Sequence, residues 1–136
     1  MQFSTRQVQE LAGIRREQLR HWKKVLPPLS GRDGRAEMYR FDEALALSII
    51  AALVVQLGLP VSRLISSSSD IFALTAETQT QALSKMRIFV DTHGAIHTTE
   101  PRDSNTFAAV NLGQVLRNFM ARLGPDELKQ LSLPLA

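Results

Sequence analysis

The sequence contains no cysteine. A disulfide framework, a thiolate metal site and a cysteine nucleophile are therefore excluded, and a reducing compartment is compatible with this composition. A long apolar run is also missing, because the most apolar stretch, residues 44–59, includes Ser48, Gln56 and Gly58 and falls short of a membrane span. The opening residues, MQFSTRQVQ, lack the basic and then apolar profile of a signal peptide. We expect a cytoplasmic protein that does not associate with a membrane.

The signatures of common catalytic and cofactor sites are missing as well. The sequence has no Gly-rich phosphate loop, no serine nucleophile signature and no clustered acid pair of the kind that hydrolysis needs. His93 and His97 lie four residues apart without a third ligand nearby, so ordinary hairpin histidines are favoured over a metal site. We expect no enzymatic activity, no cofactor and no metal.

Basic residues are concentrated near the N-terminal end of the chain. Residues 1–40 contain nine Lys or Arg and four acids, whereas residues 41–136 contain seven Lys or Arg and nine acids. A basic N-terminal segment followed by a slightly acidic remainder is typical of a protein that binds a polyanion through one end. We therefore expect nucleic acid as the partner.

Two short helices are predicted within this basic N-terminal segment. Ser4, with a glutamine three residues later, has the form of a capping box that opens the first helix, and Gly13 ends it. The apolar pattern resumes with Leu19, Trp22 and Leu26, three and four residues apart, until the two prolines of VLPPL stop it. Two helices that meet at a glycine turn form the arrangement of a helix-turn-helix.

The second helix has an apolar side and a basic side. At about 100° per residue, Leu19, Trp22 and Leu26 share one side. The other side and its edges carry Arg16, Glu17, Arg20, His21, Lys23 and Lys24. A basic side of this kind can enter a major groove, where arginine pairs bidentately with guanine, and phosphates would offset Arg15 and Arg16 at the positive end of the helix dipole. The alternative interpretation is an ordinary solvated face with some internal ion pairing.

A hairpin is predicted next, because Asp33-Gly34 stands between two short runs. This hairpin is a candidate wing. Arg32 and Arg35 flank its turn and Arg40 leaves its second arm, so three cations could reach the sugar-phosphate backbone. The alternative interpretation is a flexible, glycine-rich basic loop.

A long apolar helix follows the hairpin, with Asp42 as its predicted N-cap and Gly58 at its end. Its apolar residues surround most of the cylinder, so it must be covered on several sides by the C-terminal part or by a second subunit. We expect Tyr39 and Phe41 to pack in the core. Residues 61–69 suggest a further short helix that ends, or hinges, at the serine run.

The C-terminal half has a different pattern. KMRIFVDTHGAIHTTE alternates two β-rich runs about a turn at His93-Gly94, and TFAAV could add a third strand. Asn111 can cap the amphipathic segment LGQVLRNFMARL. We predict a small three-stranded antiparallel sheet with one covering helix, and we assign dimerisation or partner binding to it.

The order of these motifs resembles the N-terminal winged helix-turn-helix of MerR-type transcription regulators. The resemblance covers roughly residues 3–65 and rests on FSTRQVQELAGIRREQLRHWKK, LPPL, the basic glycine hairpin, YRFDEAL and LGLPVSRL. It implies two-fold dimers that bind pseudo-palindromic promoter sites and bend or untwist the DNA. By the same resemblance, the DNA contacts are Arg16, Glu17, Arg20 and His21 on the recognition helix and Arg32 and Arg35 on the wing, with Arg40 nearby.

The sequence also departs from the family pattern. Arg15 stands where the family often has Ser or Thr, so the usual helix cap is missing and a direct phosphate contact by Arg15 is expected. Pro60 replaces the usual capping residue of the helix that follows it. Many members dimerise through one long C-terminal helix, and no unbroken helix of that length is predicted here.

Together these patterns predict an α+β, mainly α protein in two parts. Residues 1–76 are predicted to form a MerR-like winged helix-turn-helix DNA-binding domain, and residues 77–136 a small β-β-β-α module. The predicted function is a sequence-specific regulator of transcription that binds double-stranded DNA as a homodimer. The alternatives are an architectural DNA-bending protein, such as an excisionase-like or packaging factor, and a protein-interaction module. The predicted DNA-binding residues are Arg15, Arg16, Glu17, Arg20, His21, Lys24, Arg32, Arg35 and Arg40.

Overall fold

The computed structural model describes residues 1–30, 38–102 and 106–127. The chain is mainly helical with two small antiparallel sheets, so the predicted α+β class is confirmed at that level. The helices are α1 (Thr5–Ala12), α2 (Arg16–Val25), α3 (Phe41–Ala51), α4 (Ser68–Glu77), α5 (Thr80–Leu83) and α6 (Leu112–Ala121). The strands are β1 (Gln2–Ser4), β2 (Met38–Arg40), β3 (Arg87–Asp91), β4 (Ile96–His97) and β5 (Thr106–Asn111).

The first sheet joins the start of the chain to the entry of α3. Strand β1 pairs with β2 in antiparallel register, with Phe3 opposite Tyr39. Both side chains are buried, as predicted for Tyr39, because the period of two along a strand turns the middle residue of each strand to the core. The predicted hairpin turn at residues 31–37, with Arg32 and Arg35, lies outside the described residues.

Helix α3 is the central element of the core. It is buried on nearly every side, by α1, α4 and α6, which confirms the predicted contact with the C-terminal part. A π-helical segment, Ala52–Gln56, continues it with Leu57 as its C-cap, and Gly58 follows with φ 74°. The predicted N-cap Asp42 is wrong by two residues. Arg40 is the N-cap. The Glu43 side chain accepts a hydrogen bond from the Arg40 backbone N–H at 2.9 Å, so the helix begins after Arg40.

The serine run opens a helix rather than ending one. A 3₁₀ turn spans Val61–Leu64, and α4 starts at Ser68. Ser67 and Ser68 are buried, and the Ser68 hydroxyl donates to the Ile65 carbonyl at 2.8 Å. The sequence predicts a helix end or a hinge at this serine run. Here their small volume lets the start of α4 lie inside the core. Helices α4 and α5 were not predicted.

The predicted three-stranded sheet and its covering helix are confirmed. The strand order is β4-β3-β5, all antiparallel, and Gly94 turns the β3–β4 hairpin with φ 84°. Ile88, Val90 and Val110 are buried beneath α6 on the inner face of the sheet. The Asn111 side chain accepts from the Gln114 N–H at 3.3 Å and caps α6, as predicted.

Helix α6 also contacts the N-terminal helices. The Phe119 ring packs edge-on against Phe41 at 5.2 Å between centroids and against Phe3 at 6.4 Å. Arg122 donates a hydrogen bond from Nη1 to the Leu11 carbonyl at 2.8 Å, next to the end of α1. The β-β-β-α segment and the N-terminal helices therefore share one hydrophobic core.

Candidate nucleic-acid interface

Contacts between neighbouring residues determine where α1 begins and ends and how it connects to α2. The Ser4 Oγ accepts from the Gln7 N–H at 3.2 Å, and the Gln7 Oε1 accepts from the Ser4 N–H at 2.8 Å, which is the predicted capping box. Gly13 adopts φ 70° and donates its N–H to the Gln9 carbonyl, so α1 ends there as predicted. Only three residues separate α1 from α2, and this short connection fixes the direction in which α2 leaves.

The apolar side of α2 faces the core. Leu19 and Leu26 are each 1% exposed and Trp22 is 2% exposed. Helix α2 ends at Val25, before the two prolines, as the LPPL run predicts, and Pro27 begins a 3₁₀ turn. Because three large side chains are held on one side, the opposite side of α2 must face solvent.

That opposite side brings together the residues predicted on the recognition helix. All six side chains are exposed, and none forms an ion pair with another described residue. They are Arg15, Arg16, Glu17, Arg20, His21 and Lys24. The internal pairing that an ordinary solvated face would have used, such as Glu17 with Arg20, is not formed. Four uncompensated guanidinium or ammonium groups therefore share one surface with a single carboxylate.

The N-terminus of α2 carries two cations, Arg15 and Arg16, beside one acid of its first turn, Glu17. Arg15 is the N-cap, and its side chain cannot accept a hydrogen bond. The Gln18 Oε1 accepts from the Arg15 N–H at 2.9 Å, which supplies half of a capping box. The first-turn N–H groups and the two guanidinium groups of Arg15 and Arg16 thus meet at one helix end. A phosphate there would receive hydrogen bonds and offset the unfavourable dipole interaction.

A cleft of about 180 Å³ separates α1 from α2. Its walls are Thr5 and Gln9 on α1 and Arg16, Leu19, Arg20 and Lys23 on α2. Thr5 and Lys23 were not among the predicted site residues. The helical wheel had placed Lys23 at the edge of the basic side, and Thr5 is the first helical residue after the capping serine, so both positions were visible in the sequence. The cleft places the polar side chains of Thr5 and Gln9 beside the cations of α2.

Arg40 has a different environment from the other predicted cations. Its guanidinium group makes a two-point contact with Asp42, with Nε 3.1 Å from Oδ1 and Nη2 3.2 Å from Oδ2. The hydrogen bonds and charge of Asp42 raise the pKa of Arg40. Glu43 lies 4.0 Å from the same Nε. A phosphate must therefore compete with two carboxylates for Arg40, so its contribution to binding should be smaller than that of Arg16 or Arg20.

No family model matches this chain, and neither a curated protein nor a solved structure does. Within the described ranges, no helix combines the length and apolar character needed to cross a membrane. Among the same residues, no three His, Asp or Glu side chains are grouped so that they could hold a metal ion. His97 instead lies 2.8 Å from Asp91, and His93 is exposed at the hairpin turn.

The arrangement is suited to holding a polyanion against one surface of the molecule. Cations on a rigid helix keep their spacing, since the buried side of α2 prevents it from rotating about its axis. Arg16 and Arg20 are four residues apart, about 6 Å along the helix axis, which corresponds to roughly two steps of about 3.4 Å along a duplex.

Proposed function

We propose that the protein is a sequence-specific regulator of transcription that binds double-stranded DNA as a homodimer, with the N-terminal residues acting as a MerR-like winged helix-turn-helix. The observation that carries the proposal is the exposed side of α2, where Arg16, Arg20 and Lys24 have no carboxylate partner among the described residues while Trp22 is buried opposite them. A major groove is about 12 Å wide and admits one such helix.

Different residues of this surface have different expected tasks. Arg20 and His21 lie in the middle of the exposed side, so we assign base-edge contacts to them. Arg15 and Arg16 lie at the helix end, so we assign phosphate contacts to them. Phosphate contacts would position α2 in the groove, and base contacts would select the sequence.

We propose the dimer on the resemblance to MerR-type regulators, which implies two-fold binding to pseudo-palindromic sites. One copy of α2 reads three or four base pairs, and two copies related by a two-fold axis read two half-sites one helical turn, about 34 Å, apart. Sedimentation of the free protein and of its DNA complex measures this directly. A complex containing one protein chain per duplex would contradict the dimer.

The test of DNA recognition uses Arg20→Ala with Arg87→Ala as its matched control. Arg87 is an exposed arginine on β3, so its loss changes the net charge equally without touching α2. Sites are first selected by the wild-type protein from a randomised duplex library, and dissociation constants are then measured by fluorescence anisotropy for the selected site and its single-base variants. We expect Arg20→Ala to lose about 1–3 kcal/mol at one or two base positions and Arg87→Ala to match the wild type.

Three results would contradict parts of the proposal. Equal weakening of every duplex by Arg20→Ala would remove base readout by Arg20. A selection that returns no shared sequence, with the DNA nevertheless bent, would favour the architectural alternative. Failure of the wild-type protein to retain any duplex at low salt, where phosphate contacts are strongest, would exclude DNA binding altogether.

A further inference from the structure

The end of α6 reaches back to the turn between α1 and α2. Arg122 is the C-cap of α6, and its Nη1 donates a hydrogen bond to the Leu11 carbonyl at 2.8 Å. Leu11 belongs to the last turn of α1, where helix carbonyls lack a partner within the helix. Helix α1 has no basic residue of its own in that turn. Arg122 therefore supplies, from 111 residues further along the chain, a cation that stabilises the negative end of the α1 dipole.

The same guanidinium group lies against the glycine of the turn. A Cβ on Gly13 would lie 3.0 Å from Arg122 Nη1 and 3.5 Å from its Nη2. Gly13 therefore does more than adopt a positive φ, because the absence of a side chain lets the guanidinium group approach the backbone of the turn. Arg122 contacts both the last turn of α1 and the first residue after it.

The carbonyl that accepts from Arg122 is involved in the change of direction between the two helices. In an uninterrupted helix the Arg15 N–H would donate to the Leu11 carbonyl, four residues earlier. Here the Arg15 N–H donates instead to Gln18 Oε1 at 2.9 Å, in the capping arrangement that opens α2. Arg122 satisfies the acceptor that this exchange leaves behind. A contact from α6 thus favours two separate helices over a continuation of α1 into α2.

The position of Arg122 is fixed by buried residues before and after it. Phe119, three residues earlier, is buried, and its ring packs edge-on against Phe3 and Phe41. Leu123, the next residue, is also buried. Because both neighbours are held in the hydrophobic core, the backbone of Arg122 cannot move away from α1 without disrupting that packing.

We propose that Arg122 is a positioning residue for α2, which sets the direction in which the proposed recognition helix leaves α1 and thereby improves discrimination between DNA sequences. Arg122 acts through the turn rather than through a contact with the duplex. The part of this inference that concerns DNA rests on the proposed function. Base-edge contacts require a fixed geometry, whereas phosphate contacts recur along every duplex. Loss of Arg122 should therefore reduce specific binding more than non-specific binding.

The first measurement uses the free protein and involves no DNA. Residual dipolar couplings of the backbone N–H groups give the angle between α1 and α2. Hydrogen exchange reports the protection of the Gly13 and Ile14 N–H groups, which both donate to the Gln9 carbonyl. We expect Arg122→Ala to change the angle and to raise both exchange rates at least about tenfold, because it removes a hydrogen bond donated by a charged group at the end of α1.

The matched control is Arg63→Ala. Arg63 is also exposed, and its Nη1 donates to a backbone carbonyl at 2.9 Å, that of Thr92 in the hairpin between β3 and β4. The two variants thus lose the same charge and the same kind of hydrogen bond at different places. We expect Arg63→Ala to keep the wild-type angle. Arg122→Lys keeps the charge but not the planar fork, so it should lie between the wild type and Arg122→Ala, and it provides the test if Arg122→Ala does not fold.

The second measurement uses the duplex selected by the wild-type protein and a scrambled duplex of the same length. We expect Arg122→Ala to lower the ratio of the two association constants at least about fivefold, the least that misplacing one base contact costs. Binding of the scrambled duplex should change less than about twofold, and Arg63→Ala should keep the wild-type ratio. A variant that is only partly folded binds both duplexes in the same proportion, so the ratio separates positioning from stability.

Several outcomes would overturn the inference. Wild-type helix angle and exchange rates in Arg122→Ala would do so whatever the DNA result. An altered angle with an unchanged ratio would remove the role in sequence discrimination. Equal losses of the ratio in Arg63→Ala and Arg122→Ala would show a general effect of charge instead of an effect of the turn. If the wild type binds no duplex, the proposed function fails, and the dipolar couplings alone still decide whether Arg122 sets the direction of α2.

Discussion

Replacement of Trp22 by alanine tests whether the basic side of α2 depends on the core beneath it. Trp22 is 2% exposed and is one of the largest fully buried side chains among the described residues. A buried tryptophan removes about 150–250 Å² from water, which at about 25 cal/mol per Å² corresponds to roughly 4–6 kcal/mol. That figure is an upper bound, because an unfolded chain already buries part of its surface. We expect the free energy of unfolding to fall by about 3–5 kcal/mol.

The assay is urea denaturation followed by far-UV circular dichroism, because the chain has one tryptophan and the variant would lose its fluorescence signal. A domain of this kind has about 5–15 kcal/mol of stability, so Trp22→Phe serves as a graded variant with a smaller loss if Trp22→Ala does not fold. Lys24→Ala is the matched control on the same helix, and since Lys24 is exposed we expect a change within about 0.5 kcal/mol. If Trp22→Ala shifts the denaturation midpoint no more than Lys24→Ala, the apolar side of α2 does not hold the helix in place.

Three further predictions concern the caps and turns of the chain. Ser4→Ala removes the acceptor of the first capping box and should cost about 1 kcal/mol in urea denaturation; an unchanged midpoint would contradict it. Gly94→Ala should lower the melting temperature by the equivalent of more than about 1 kcal/mol, because φ is 84° and a Cβ would lie 2.2 Å from the Arg63 carbonyl oxygen; a variant that melts like the wild type would refute that clash. The hydrogen bond from His97, with smaller contributions from backbone N–H groups, lowers the pKa of Asp91 in the folded protein. Ionised Asp91 therefore stabilises the fold above its unfolded pKa of about 4, and this contribution is lost as the pH falls through its folded pKa. The difference in melting temperature between the wild type and Asp91→Asn should therefore disappear on acidification, and a difference that is constant from pH 7 to pH 2 would oppose this role.

The elements that the sequence predicts well are those set by neighbouring residues. The capping box at Ser4, the left-handed turn at Gly13 and the cap at Asn111 each depend on groups within a few residues of one another. The two sides of α2 follow in the same way from the helical period, since Leu19 and Trp22 recur on one side whatever the rest of the chain does. Local geometry of this kind can be read without knowledge of the tertiary structure.

The elements that were missed or misplaced depend on distant contacts. Helix α4 starts inside the serine run because Ser67 and Ser68 are buried in the packed chain, and local propensity does not contain that information. The N-cap of α3 is Arg40 rather than the predicted Asp42, and Arg40 is the last residue of β2, the strand that pairs with β1. Burial and strand pairing decide these boundaries.

The sequence by itself determined that the N-terminal third concentrates cations on one side of a short helix, because charge count and helical period are properties of neighbouring residues. Only the tertiary structure decided which of those cations lack an acidic partner, and it showed that Arg40 is held by Asp42. It also placed Arg122 against Leu11 and Gly13, which are far from it in the chain. A contact between residues distant in sequence has no local signature, since it exists only after the core has brought its two sides together.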